Sequence, residues 1–214
     1  DVEAPGHDKH TGVHFRDEWV CGADASDVDT LENDSADEEG FSLRVRLFTP
    51  ETQPRGKPPQ KPRPVIVFFH GGGFVMNSVA TRWYHKFCCR LAEASRCCVV
   101  SCDYQLAPEA PFPAAVVDAY RAVHETAQAA FFPAQVADST RIILVGDGAG
   151  GNLVSVLSSL IRDGLNGHLD PCYTDDFFQV VHQVIIYGSL FHFPLTPSAL
   201  NPVDSIFHKL SVAE

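Results

Sequence analysis

The chain has 214 residues, 45% of them hydrophobic, which is enough to bury the core of one globular domain or at most two. Its net charge of −11 lies wholly in residues 1–40, where 13 Asp and Glu face only Lys9 and Arg16, while residues 41–214 carry fourteen charges of each sign. Such an arm repels nucleic acid and anionic membranes, and no apolar run approaches the ~20 residues that span a bilayer.

Residues 1–40 therefore read as an acidic N-terminal arm, extended or partner-bound, and residues 41–214 as a single folded domain. From Asp24 to Glu39 there are eight acidic residues, no basic one and few apolar side chains to bury. A calcium loop fails there, since no glycine holds its sixth position and the acidic spacing is irregular. His7, His10 and His14 would suit a metal if the arm were helical, but in a solvated arm they read as surface histidines, so no metal site is expected.

Phe41 to Phe48 alternates Leu43, Val45 and Leu47 with polar residues, as in a half-exposed strand near a sheet edge. Thr49 to Pro64 is proline-rich and basic and reads as a surface loop. Val65 to Phe69 is a short apolar strand running into His70-Gly71-Gly72-Gly73-Phe74. A helix is expected over Val79 to Ala94, a strand over Cys97 to Cys102, a helix over Pro113 to Ala130 opened by its own proline, and a strand over Arg141 to Val145. The turn Gly146-Asp147-Gly148-Ala149-Gly150-Gly151-Asn152 then leads into a helix over Gly151 to Arg162 with Leu153, Val156, Leu157 and Leu160 on one face. Val180 to Tyr187 is a strand, apolar on both faces apart from His182 and Gln183, which suits the middle of a sheet. The tail offers a short helix around Val203 to Leu210. Strands without alternation, joined by helices, predict an α/β fold with a doubly wound, mostly parallel sheet.

The seven cysteines include the adjacent pairs Cys88-Cys89 and Cys97-Cys98, and no spacing suits zinc or a disulfide framework. They read as small buried hydrophobes in a reducing compartment, cytoplasm or organelle matrix.

Both glycine-rich turns follow strands. The serine-hydrolase elbow G-x-S-x-G here reads G-x-G-x-G, and His70-Gly-Gly-Gly-Phe74 has the form of a loop whose backbone N–H groups stabilise an oxyanion. A phosphate cradle of the Walker type needs a lysine, and none follows Gly151. Gly146, Gly148 and Gly151 match the spacing of a dinucleotide fingerprint, but no acidic residue closes a second strand about 20 residues on; Asp163 and Asp170 fall in a helix end and a loop.

With Asp103-Tyr-Gln-Leu-Ala-Pro-Glu109, Phe112-Pro-Ala-Ala115 and Asp118 between them, these motifs resemble the hormone-sensitive-lipase-like branch of the α/β-hydrolases, which includes plant carboxylesterases and the gibberellin receptor. The resemblance implies an α/β-hydrolase fold, no cofactor, Gly148 in the place of the nucleophilic serine, and an oxyanion hole from the N–H groups of Gly72, Gly73 and Ala149. Gln105 departs from the arginine usual at its position. It also implies that the catalytic Asp and His follow later strands, so residues 41–214 are expected to be a C-terminally truncated, incomplete hydrolase domain; no motif assigns His168, His182, His192 or His208 to the missing role.

Glycine has no atom to form an acyl intermediate, and the strained elbow relaxes with it. The expected function is a catalytically silent hydrolase-like protein with a structural or binding role, within an assembly of protein chains. Two alternatives stand beside it: a carboxylesterase seen as a fragment or with its nucleophile replaced, and a receptor for a small apolar or ester-like ligand in the vacant pocket.

Overall fold

The computed structural model describes residues 5–21, 42–51, 61–128, 131–163 and 178–188. In chain order the elements are β1 (Gly6–Asp8), β2 (Val13–Cys21), β3 (Ser42–Pro50), β4 (Arg63–Phe69), α1 (Arg82–Ser95), β5 (Val99–Cys102), α2 (Ala114–Gln128), β6 (Ala137–Asp147), α3 (Ala149–Arg162) and β7 (Gln179–Ile186). Among the described residues the strands form one seven-stranded sheet in the order β1-β2-β3-β5-β4-β6-β7. β1, β2, β3 and β5 pair antiparallel, while β5, β4, β6 and β7 run parallel.

Alternation along β4 explains the layering. Val65, Val67 and Phe69 enter a core shared with Ala119, Val123, Leu153 and Leu157, so α2 and α3 cover that face. Ile66 and Phe68 point the other way, into a second core with Tyr84, Cys88, Cys89 and Ala92 of α1. A strand buried on both faces must be apolar at every position, which is why Val65 to Phe69 shows no alternation. Cys88, Cys89, Cys97, Cys98 and Cys102 are free thiols buried in this frame. Among the described residues no helix is long and apolar enough to cross a membrane.

The structure corrects three expectations. Gly6–Asp8 and Val13–Cys21 are strands of the sheet and not part of a detached arm, because alternate residues Val13 and Phe15 are apolar and pack on the α1 side. β3 is consequently no edge strand: β2 and β5 flank it and most of its residues are buried. Its polar Arg46 is buried against Asp17 directly opposite, with Nε–Oδ1 and Nη2–Oδ2 distances of 2.6 and 2.9 Å. β7, despite its apolar composition, is the last strand in the order among the described residues and is half-buried or exposed along its length. The acidic run, the loop core at 52–60, and the helix expected around Val203 to Leu210 lie outside the described residues.

Candidate functional site

β6 delivers the turn at Gly148. Its residues Ile142, Leu144 and Val145 are buried between β4 and β7, and the strand ends at Asp147 immediately before α3. Gly148 sits between them with φ 52° and ψ −115°. That conformation is costly for a residue with a Cβ and open to glycine. The turn is held on both sides: the Gly148 N–H donates to the Ile186 carbonyl at 3.0 Å, and the Gly148 carbonyl accepts the Asn152 N–H at 3.2 Å. A Cβ on Gly148 would lie 3.8 Å from Gly71 Cα and 3.9 Å from Tyr187 Cε2, so space for a side chain exists and only the backbone angle demands glycine. Gly150 differs, since a Cβ there would run into the Phe69 carbonyl of β4. Gly146 and Gly151 are likewise pressed against backbone, which lets α3 sit close on the sheet.

The loop after β4 lies across the turn. Gly72, Gly73 and Phe74 have φ values of 130°, 64° and 64°, and the Gly72 carbonyl accepts the N–H groups of Val75 and Met76 at 3.2 Å each. Asp147 joins loop to turn. Its carboxylate accepts the Gly71 N–H at 2.9 Å, the Tyr84 hydroxyl at 2.9 Å and the Tyr187 hydroxyl at 3.0 Å. The Tyr84 oxygen in turn accepts the Gly71 N–H at 3.1 Å. Burial and the Asp147 carboxylate push the Tyr84 hydroxyl far above its ordinary value, and the hydrogen bond to Asp147 raises Tyr187. Both phenols stay neutral donors at physiological pH. Among the described residues the N–H groups of Gly72, Gly73 and Ala149 give to no protein acceptor.

Beneath the loop, His70 is fully buried and stacked on Tyr104, with ring centroids 4.4 Å apart. The Tyr104 hydroxyl donates to the His70 carbonyl at 2.6 Å, and His70 Nδ1 lies 2.9 Å from the Gly71 carbonyl. Burial lowers the His70 pKa, which holds the ring neutral, and its Nε2 has no partner among the described residues. The His70 ring thus supports the loop. The segment after β5 is clamped by carboxylates: Asp103 accepts the Val79 N–H and a two-pronged contact from Arg44, and Asp118 accepts the Gln105 N–H at 2.9 Å. The Phe74 carbonyl accepts the Ala107 N–H at 2.8 Å, which ties that segment to the loop.

The structure therefore brings His70, Gly71, Gly72, Gly73, Phe74, Gly146, Asp147, Gly148, Ala149, Gly150, Gly151 and Asn152 into one region at the C-terminal ends of the parallel strands β4 and β6. His182 is elsewhere, paired with Ile143 in mid-strand. His168, His192 and His208 lie outside the described residues. The His–carboxylate pairs His7–Glu51 and His124–Glu125 lie on other segments than the Gly148 turn. Sequence reasoning missed Tyr84 and Tyr187 as partners of Asp147. No motif marks a tyrosine on a helix or just past a strand, although Tyr187 has a positive φ of 39°.

A family model described as alpha/beta hydrolase fold matches residues 66–205. Esterase LipI of Mycobacterium tuberculosis is 42% identical over 123 residues, covering 56% of this chain and 35% of its own length. Gibberellin receptor GID1A of Arabidopsis thaliana is 32% identical over 137 residues, covering 59% of this chain and 39% of its own length. The crystal structure of esterase LipW from Mycobacterium marinum superposes with a TM-score of 0.68 at 27% identity, covering 95% of this chain and 55% of that one. The chain thus spans little more than a third of the length of these curated relatives.

Proposed function

Because the chain belongs to the α/β-hydrolase fold family, we propose that it is a catalytically silent member that keeps the oxyanion frame for binding within a protein assembly. The observation that carries this reading is Gly148 at the elbow, with φ 52° and no atom to attack a carbonyl. Ser155, Ser158 and Ser159 are one or more turns further along α3 and do not replace it. In serine hydrolases that lose their triad, the oxyanion hole and binding alone leave only about 10³–10⁴-fold catalysis over water.

The N–H groups of Gly72, Gly73 and Ala149, which give to no protein acceptor among the described residues, would hold the carbonyl oxygen of a small apolar or ester-like ligand, with Asp147 fixing the loop beside it. Met76 and Tyr187, 50% and 77% exposed, would flank its apolar part. Five buried free thiols support a reducing compartment. The decisive experiment is turnover of p-nitrophenyl acetate and butyrate together with labelling by a fluorophosphonate. No saturable turnover and no label at the elbow are expected, and labelling there would overturn the reading.

A second reading has one observation in its favour. The space beyond Gly148, with its nearest neighbours at 3.8 and 3.9 Å, accommodates a serine, and relatives such as LipI are esterases. On that reading the chain represents part of a carboxylesterase with its nucleophile replaced, and Gly148→Ser in the full-length protein would restore acyl transfer. On the first reading the same substitution restores none.

A further inference from the structure

We propose that His7, His14 and Glu51 form a binding site for a divalent transition metal ion of the zinc type, which clips the β1–β2 hairpin to the end of β3. His7 and His14 are directly opposite in the β1–β2 pairing, and His14 is directly opposite Thr49 in the β2–β3 pairing. Glu51 is two residues beyond Thr49, so alternation returns its side chain to the same face. The neighbours Val13 and Phe15 point to the other face, into the α1 side of the core.

Side-chain geometry agrees with the register. The two imidazole rings stand 4.6 Å apart between centroids, inclined by 37°. His7 Nε2 is 3.5 Å from Glu51 Oε1, and the candidate ligand atoms all fall within 4.8 Å of one another. A tetrahedral ion with ligands at about 2.0–2.1 Å needs donors about 3.3 Å apart. All three side chains are exposed, which leaves their rotamers free to draw the donors together on an ion. Glu51 is placed by its own N–H, which donates to the Gly12 carbonyl at 3.1 Å. The Asp8 carboxylate is occupied otherwise, accepting the N–H groups of His10 and Thr11.

The donor set decides the class of ion. Two imidazoles and one carboxylate suit zinc and its transition-metal neighbours, whereas calcium and magnesium demand oxygen. Three protein ligands leave a position for water. The site is remote from the elbow: Phe48 pairs with Val99 at the start of β5, while Gly148 lies beyond the opposite ends of the parallel strands. A metal here acts on the hairpin at the sheet edge and not on the oxyanion frame.

The test is a Zn²⁺ titration of the full 214-residue chain against a chromophoric chelator, with Co²⁺ absorption spectra to report coordination. Saturable uptake of one ion per chain is expected, with no competition from equimolar Ca²⁺ or Mg²⁺. His7→Ala, His14→Ala and Glu51→Gln should each weaken it at least about tenfold, the loss that even an outer-shell change usually causes. His10→Ala should leave it unchanged. Zn²⁺ should also raise the thermal midpoint of the parent chain and not that of the His7→Ala/His14→Ala variant. Absence of saturable uptake, undiminished affinity in any of the three ligand variants, or displacement by Ca²⁺ or Mg²⁺ overturns the proposal.

Discussion

Gly148 and Gly150 are two positions apart and glycine for different reasons. At Gly148 the backbone angle is the sole obstacle, so Gly148→Ala should cost about 1–3 kcal/mol in urea unfolding. At Gly150 a methyl group meets the Phe69 carbonyl, and β4 or α3 must shift. Gly150→Ala should therefore cost more than Gly148→Ala; the reverse order would remove the basis for treating Gly148 as a side-chain position made vacant. His70 adds a pH dependence. Its pKa is lowered in the fold, first by burial, from an ordinary value near 6.5. Between the folded and unfolded values the unfolded chain binds a proton that the native chain refuses, so stability is full above about pH 6.5 and falls as the pH drops below it. This single group contributes a slope of at most about 1.4 kcal/mol per pH unit. Urea midpoints at pH 7.5 and 5.5 should diverge in the parent chain and diverge less in His70→Gln; an equal divergence would assign the effect to other histidines.

Among the elements, the β2–β3 pair depends on a group that composition disguises. Arg46 is 2% exposed and holds Asp17 through two hydrogen bonds, with Phe15 beneath the guanidinium at 5.7 Å. Removing one partner strands a buried charge, so Asp17→Ala should cost about 3–5 kcal/mol, while Asp17→Ala with Arg46→Leu should recover much of it. Equal stability of the single and double variants in chemical denaturation would refute the pairing. The same pair shows what the sequence conceals. Val65 to Phe69 of β4 was legible because burial on both faces leaves it apolar throughout, and the two glycine turns were legible because close backbone approach and positive φ admit little else. β3 alternates Leu43, Val45 and Leu47 with polar residues, yet Arg46 meets Asp17 from a strand that acidic composition had assigned to an arm. Composition averages over a segment, and pairing depends on which residues stand opposite. His7 and His14 were hidden in the same way, since their proximity comes from a two-strand register and not from helical spacing.

For the whole molecule, the sheet ends unequally. On one side the three-residue β1 forms a short edge, the form in which soluble proteins tolerate one. On the other side β7 carries Val180, Val181, Val184, Ile185 and Ile186, with α3 covering part of one face, and no strand pairs with its outer edge among the described residues. Val184 is 46% exposed and Tyr187 77%. A row of unpaired backbone donors and acceptors beside apolar side chains recruits another strand. We therefore expect the isolated 214-residue chain to self-associate, or to hold a second polypeptide, when its mass is followed by light scattering across a concentration series. Val184→Lys places a charge on that edge without touching the core, and it should shift the distribution toward monomer while leaving the far-UV circular dichroism unchanged. A parent chain that remains a compact monomer at every concentration would mean that residues of the same chain cover β7, and the partner would have to be sought on another surface.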